Sequence, residues 1–274
     1  MKYYPPQNEE LKQTPHIVAV LDFLGATEKM KTTGRSDDFL KTMQRIYDGM
    51  MNFVRWNNSS CFGETKTNEV KIQIYSDNVV LAKECQNEIP IAECQEIFTL
   101  CAFFQMVALM EGIPIRGAIT RGKFCKSELF VYGEALVNAH EMEAHMAIYP
   151  RIIVDKDIIK RSDALAMLKV WGMMQKLVKP DFDGEWFINF LLPKSQSGNN
   201  EVAIEGLKKI RQGIIDTFES ADLKPAVIQK YCWLSKKFNE FCEENNCNDQ
   251  KLFLNGNGEL VSSKFYDKNE GMML

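Results

Sequence analysis

The chain has 274 residues, with 33 Lys and Arg against 37 Asp and Glu, and 45% of it is hydrophobic. That length accommodates one or two domains with a real core, and a net charge of −4 with no basic block argues against general nucleic-acid binding through phosphate neutralisation. No apolar run reaches the roughly 18 residues of a membrane span. The eight cysteines (61, 85, 94, 101, 125, 232, 242 and 247) include no C-x-x-C pair, so they are read as buried thiols of a cytoplasmic protein.

In chain order, residues 1–15 are polar and Pro-containing, a flexible lead-in. His16 to Gly25 is a nearly continuous apolar run closed by Gly, which suits a central strand buried on both faces. Phe39, Leu40, Met43, Ile46, Tyr47, Met50, Phe53 and Val54 recur at three- and four-residue intervals and predict an amphipathic helix over 37–57. A polar loop follows at 57–69. Val70 to Tyr75 then alternates with period two, turns at Ser76-Asp77-Asn78 and continues as Val79 to Ala82, a β-hairpin with an acid at its tip.

Residues 91–111 predict a strongly apolar helix, Ile113 to Thr120 a strand carrying Arg116, Gly133 to Ile148 a helix, and Arg151 to Val154 a short strand. The order β-α-β-β-α-β is that of an α/β (α+β) ferredoxin-like palm, giving a domain at 16–155. From 156 to 246 the pattern becomes a mainly helical extension, with helices at 156–178, 200–219 and 224–244. Residues 247–274, rich in Asn and Gly, form a loose tail.

Two acids stand out. Asp22 ends the first strand and Asp77 tips the hairpin, and a palm of this order carries those two points to one place. Converging carboxylates repel unless a cation joins them. Hard oxygen donors suit two Mg²⁺ or Mn²⁺ ions, which favour in-line chemistry at phosphorus.

Several segments resemble the class III nucleotidyl cyclases. Asp22-Phe23-Leu24-Gly25-Ala26-Thr27 is similar to their Asp-Ile-x-Gly-Phe-Ser/Thr motif, and Ile74-Tyr75-Ser76-Asp77-Asn78 to their Ile-Gly-Asp hairpin. Ile115-Arg116-Gly117-Ala118-Ile119-Thr120-Arg121-Gly122 resembles Arg-x-Gly-Ile-x-x-Gly. The segment from Tyr132-Gly133 to Met142-Glu143-Ala144 resembles Trp-Gly-x-x-Val-Asn-x-Ala-x-Arg-Met-Glu, and Arg151 to Val154 stands where the family has its closing strand. The likeness covers about residues 16–155.

The resemblance implies metal ligation by Asp22, Asp77 and the Phe23 carbonyl, and a triphosphate cradled by backbone N–H groups from Phe23 through Leu24, Gly25 and Ala26 to Thr27. It also matches Lys71 to the base-contacting Lys. Anchored on Met142-Glu143, however, the family's transition-state Arg falls on Glu141 and its ribose-orienting Asn on Val137. A slide of one residue restores Asn138 but not the Arg. The purine-selecting Asp falls on Phe130. Arg116, Arg121, Lys123 and Arg151 are the candidates for the absent positive charge, and a strand-borne Arg such as Arg116 equally suits a structural ion pair.

Two other motifs dissolve on inspection. His140 and His145 are five residues apart, about 140° around a helix, and so do not share a zinc-binding face. Asp181-Phe182-Asp183-Gly184-Glu185 lacks the remaining ligands of a calcium loop and reads as an Asp-Gly turn. The expected function is thus a cyclase-like enzyme converting a nucleoside triphosphate to a 3′,5′-cyclic nucleotide and pyrophosphate. The family implies a homodimer, and its pyrimidine-cyclase branch implies antiviral signalling. The rival expectations are a cyclase-fold nucleotide sensor or protein-interaction module without turnover, and a phosphodiester-cleaving or polymerase-like palm.

Overall fold

The computed structural model describes residues 11–31, 36–60, 69–86, 91–127, 129–163, 177–191, 200–220 and 223–261. Most of the predicted lead-in, much of the loop at 57–69, the greater part of the predicted helix 156–178, Cys61 and the end of the tail lie outside them. The chain divides into two compact units, Met1–Leu192 and Pro193–Leu274.

The first unit is mixed α/β, built on an eight-stranded sheet. β1 (Thr14–Phe23) pairs antiparallel with β3 (Asn78–Glu84) on one side and with β4 (Ile115–Lys126) on the other. β2 (Lys71–Tyr75) flanks β3, β5 (Val131–Tyr132) pairs with β4, and β6 (Ile152–Val154) runs parallel to β4. β7 (Val178–Pro180) and β8 (Trp186–Ile188) then complete the order β2-β3-β1-β4-β6-β8-β7.

Alternation along β1 sorts its side chains into two cores. Ile17, Ala19, Leu21 and Phe23 face α2 (Ser36–Ser60) and α3 (Ile91–Met110), whereas Val18 and Val20 face α4 (Glu134–His145) through Ala135 and Ala139. Both faces are covered, which is why the run reads as continuously apolar. The α2 stripe Phe39, Met43, Ile46, Met50 and Val54 is buried as its spacing predicts, and Asp37 and Asp38 favour its positive N-terminal end. Leu40 is exposed.

α3 is long and apolar enough to cross a membrane by composition, the one such helix among the described residues. Its packing supplies another reason for that composition. Ile97, Phe98, Cys101 and Phe104 are buried in the core beneath β1, and Phe103 stacks on Phe53 of α2 with ring centroids 4.0 Å apart. A helix enclosed from more than one side is apolar around more of its circumference.

The sheet continues past the predicted domain end at 155. α5 (Lys156–Asp163) follows β6, and by Val178 the chain is again a strand. β7 and β8 carry three residues each, too few for a period-two pattern to register. Between them lies the predicted turn: Gly184 donates its N–H to the Asp181 carbonyl at 3.0 Å, and Asp181 donates to Glu185 at 2.8 Å. Gly184 has φ 81°, a left-handed conformation that suits Gly. A short α1 (Ala26–Lys31) precedes α2.

In the second unit α6 (Asn200–Phe218) and α7 (Pro225–Glu244) bury Ile210, Ile214, Trp233, Leu234 and Phe238. Part of the expected loose tail is tied down. The Asn239 amide donates to the Leu252 carbonyl at 2.8 Å and accepts the Leu252 N–H at 2.7 Å, and Leu254 and Leu260 form a β-bridge. The seven described cysteines are free thiols, six of them buried. Burial pushes the Cys94 thiol up to about 12, so it stays protonated and unreactive at neutral pH.

Candidate functional site

Asp22 is the penultimate residue of β1. Leu21 and Phe23 point into the α2/α3 core, so alternation turns Asp22 to the opposite face, toward α4, at the rim of the sheet. Asp22 stands opposite Asn78 in the β1–β3 register, and the Phe23 N–H donates to the Asp77 carbonyl at 3.2 Å. The strand end that carries Asp22 therefore adjoins the β2–β3 bend that carries Asp77.

The bend that carries Asp77 is a two-residue connection with Ser76 at φ 57°. The Tyr47 hydroxyl of α2 donates to the Ser76 carbonyl at 3.1 Å, and the Asn78 amide donates to Asp77 Oδ1 at 3.4 Å. Burial, helped by the Asp77 charge, pushes the Tyr47 phenol up to about 12. The side-chain contacts of the two acids thus differ: Asp77 looks to the α2 side of the rim and Asp22 to the α4 side.

Arg116 is the cross-strand partner of Asp22 on β4. Its Nε donates to Asp22 Oδ2 at 3.1 Å and also lies 2.6 Å from Oε1 of Glu143 on α4. Nε carries one hydrogen, and that hydrogen is aimed at Asp22. The contact with Glu143 is an ion pair without an aligned hydrogen bond, and Glu143 Oε1 has no such bond among the described residues. Glu143 is only 7% exposed. Burial raises its pKa, Arg116 opposes that shift, and the Asp22 charge adds to it. His140, one turn earlier on α4, is held below the usual imidazole value by burial, with the Asp22 charge pulling the other way.

Gly117, next to Arg116, has no space for a side chain. A Cβ there would sit 2.4 Å from the Val20 carbonyl oxygen, so Gly is what lets β4 lie against β1 beside the acid. The resulting cluster on the α4 side holds two carboxylates, Asp22 and Glu143, against one guanidinium.

The remaining candidates divide. Phe23 is a core residue, with its ring edge-on to Tyr47 and Phe104. Two of the N–H groups expected to cradle phosphate are already used, Phe23 on Asp77 and Leu24 on the Pro114 carbonyl at 2.9 Å. Gly25, with φ 80°, Ala26 and Thr27 lead into α1. Asn138 is half-buried on α4, beside an exposed Val137.

Lys71 lies toward the other end of the sheet, where its Nζ donates to His16 Nε2 at 3.1 Å. His16 is six positions before Asp22 on β1, about 20 Å away in an extended strand. The structure does not bring Lys71 to the acids of its own chain. Arg121 hydrogen-bonds the Cys85 thiol, and Lys123 is exposed. Arg151 is fully buried and paired with Asp181 and Asp183. Of the four candidates, Arg116 is the one whose ion pair is with Asp22.

Sequence reasoning missed Glu143 and His140 as neighbours of Asp22. The signal was present in α4, where Ala135, Ala139, Met142 and Glu143 fall on one inward stripe, so an acid occupies a position that faces the sheet.

The donor types at this rim, carboxylates with a nearby backbone carbonyl, suit a hard divalent cation. An excess of negative groups over Arg116, and a buried Glu143 oxygen with no aligned donor, are consistent with a place where positive charge is accepted. Among the described residues, no group of three or more His, Cys, Asp or Glu is arranged as a ready-made metal cage.

No family model matches the chain, and no curated protein does. Among solved structures, the chain resembles a bacterial light-regulated adenylyl cyclase with a TM-score of 0.40 and 13% identity. That match covers 75% of this chain and 59% of that one.

Proposed function

We propose that the first unit is a nucleotidyl cyclase-like domain with a ferredoxin-like palm, acting on a nucleoside triphosphate with Mg²⁺ or Mn²⁺. The observation that carries this reading is the adjacency of the Asp22 strand end and the Asp77 bend, joined by the 3.2 Å bond from the Phe23 N–H to the Asp77 carbonyl. The motifs that resemble the cyclases fall on the elements that meet there: the end of β1, the β2–β3 bend, β4 and α4.

Asp22, Asp77 and the Phe23 carbonyl would hold two ions. When bound, these lower the pKa of a ribose 3′-hydroxyl and offset the charge of the leaving pyrophosphate. In the reaction, the 3′-oxygen bonds to the α-phosphorus, the bond to the β-phosphate's bridging oxygen breaks, and the hydroxyl proton is released. The N–H groups of Gly25, Ala26 and Thr27 are the remaining backbone donors toward the phosphates. Asn138 orients the ribose. Lys71 meets the base only across a homodimer, since it lies far from Asp22 on its own chain.

A second reading, a nucleotide sensor without turnover, is favoured by two observations: Arg116 already occupies Asp22, and exposed Glu141 stands where the cyclases carry an Arg. Mass spectrometry of the chain incubated with Mn²⁺ and each of ATP, GTP, CTP and UTP separates the two. The cyclase reading expects a cyclic nucleotide from at least one of them, with formation falling at least a hundredfold in Asp22→Ala and in Asp77→Ala. Binding without product would leave the sensor.

A further inference from the structure

Arg116 and Glu143 form a second layer behind Asp22, and resemblance to the cyclases assigned Glu143 no role. From their geometry we infer that Arg116 is a displaceable counter-ion that occupies Asp22 until a divalent cation arrives, and that Glu143 is the residue that receives it. This rests on the metal reading of Asp22 given above. It makes Arg116 and Glu143 positioning residues of the site.

Three observations carry the inference. First, Arg116 Nε donates to Asp22 Oδ2 at 3.1 Å, on the carboxylate the metal reading assigns to a cation. A guanidinium and a divalent cation held against one carboxylate repel each other, so the two compete. Second, Glu143 lies closer to the same Nε, at 2.6 Å, yet receives no aligned hydrogen bond there. A buried acceptor left in that condition is costly, and a small rotation of the guanidinium would repair it, because Arg carries five N–H donors in a planar fork suited to a carboxylate.

Third, the pair is partly screened from water. The Arg116 side chain is 26% exposed and that of Glu143 9%. A charge released from Asp22 therefore moves to a waiting carboxylate with less need to be rehydrated. Competition of this kind lowers apparent metal affinity by the fraction of molecules in which Asp22 is accessible.

The test is the affinity of the full chain for Mn²⁺ alone, by calorimetry or by loss of the free-ion paramagnetic resonance signal. The deciding variant is Arg116→Gln combined with Glu143→Gln. It removes one positive and one negative charge, so a simple charge sum leaves Mn²⁺ affinity unchanged. The inference expects affinity at least tenfold tighter than wild type, and loss of that binding when Asp22→Asn is added.

A second double variant, Arg116→Met with Glu143→Met, has the same charge balance and fills the same space with apolar groups. It reports in case the glutamines impair folding, which thermal unfolding would reveal. If Asp22→Asn abolishes binding but both double variants bind like wild type or more weakly, the counter-ion role is overturned and the metal reading stands. If Mn²⁺ binding survives Asp22→Asn, or if wild type and variants all fail to bind, the metal reading falls and takes the inference with it.

Discussion

Two arginines a short distance apart in the same sheet make opposite uses of their charge. Arg151 precedes β6, and its carbonyl accepts the Gly117 N–H of β4 at 3.1 Å, one residue from Arg116. Its side chain is 0% exposed; Nη1 donates to Asp181 and, at 3.1 Å, to Asp183 Oδ1, while Nη2 donates to Asp183 Oδ2. The Tyr149 ring lies 5.2 Å from the guanidinium carbon. Arg116 instead gives its Nε–H to Asp22, leaves Glu143 in ion-pair contact without an aligned bond, and stays open to water at the rim.

The comparison teaches how to separate a structural arginine from one with spare capacity. A guanidinium whose terminal nitrogens are matched to carboxylates in a dry setting clasps the β7–β8 turn onto the sheet. One that leaves a neighbouring carboxylate without an aligned donor has somewhere else to go. Asp183 records the same clasp. Burial pushes its pKa up, but the hydrogen bonds from Arg151, together with its backbone bonds, carry it below the usual value.

The largest effect on stability should come from breaking the clasp. Arg151→Met removes the guanidinium from the buried Asp181 carboxylate and should cost about 3–5 kcal/mol in urea unfolding. The folded fraction should keep wild-type Mn²⁺ affinity. Arg116→Gln should cost less, about 1–2 kcal/mol, because its partners are partly hydrated. Equal costs for the two would erase the distinction drawn between them.

A smaller, pH-dependent effect sharpens the contrast between the acid rim and the far end of β1. His16 Nδ1 lies 2.9 Å from the Thr14 carbonyl, which makes Nδ1 the protonated nitrogen and leaves Nε2 to accept from Lys71. Burial, aided by the Lys71 charge, lowers the His16 pKa from 6.5. The folded state thus binds its proton less readily than the unfolded chain. The associated stability is present above pH 6.5 and lost as pH falls through the folded value. His16→Gln should flatten this part of the thermal-unfolding profile between pH 7.5 and 5. Metal affinity at neutral pH should not change.

Much of the first unit was legible in the sequence because its elements are long and periodic. The ten-residue run of β1, the α2 stripe and the alternating hairpin at Asp77 each repeat a pattern often enough to be read. β7 and β8 were not legible. Three residues hold too little pattern, and one of β7's is a Pro. Asp22 and Asp77 were singled out because strand ends and turns are places where an acid is conspicuous. Glu143 was overlooked because an acid on the inward stripe of a helix gains its meaning only once its partner, 27 positions earlier at Arg116, is known.

The most direct measurement is a crystal structure of the chain soaked with Mn²⁺ and a non-hydrolysable nucleoside triphosphate, with manganese located by anomalous scattering. The account predicts manganese between the Asp22 and Asp77 carboxylates, with the Arg116 guanidinium turned onto Glu143. An intact bond from Arg116 to Asp22, with manganese on neither acid, would contradict it.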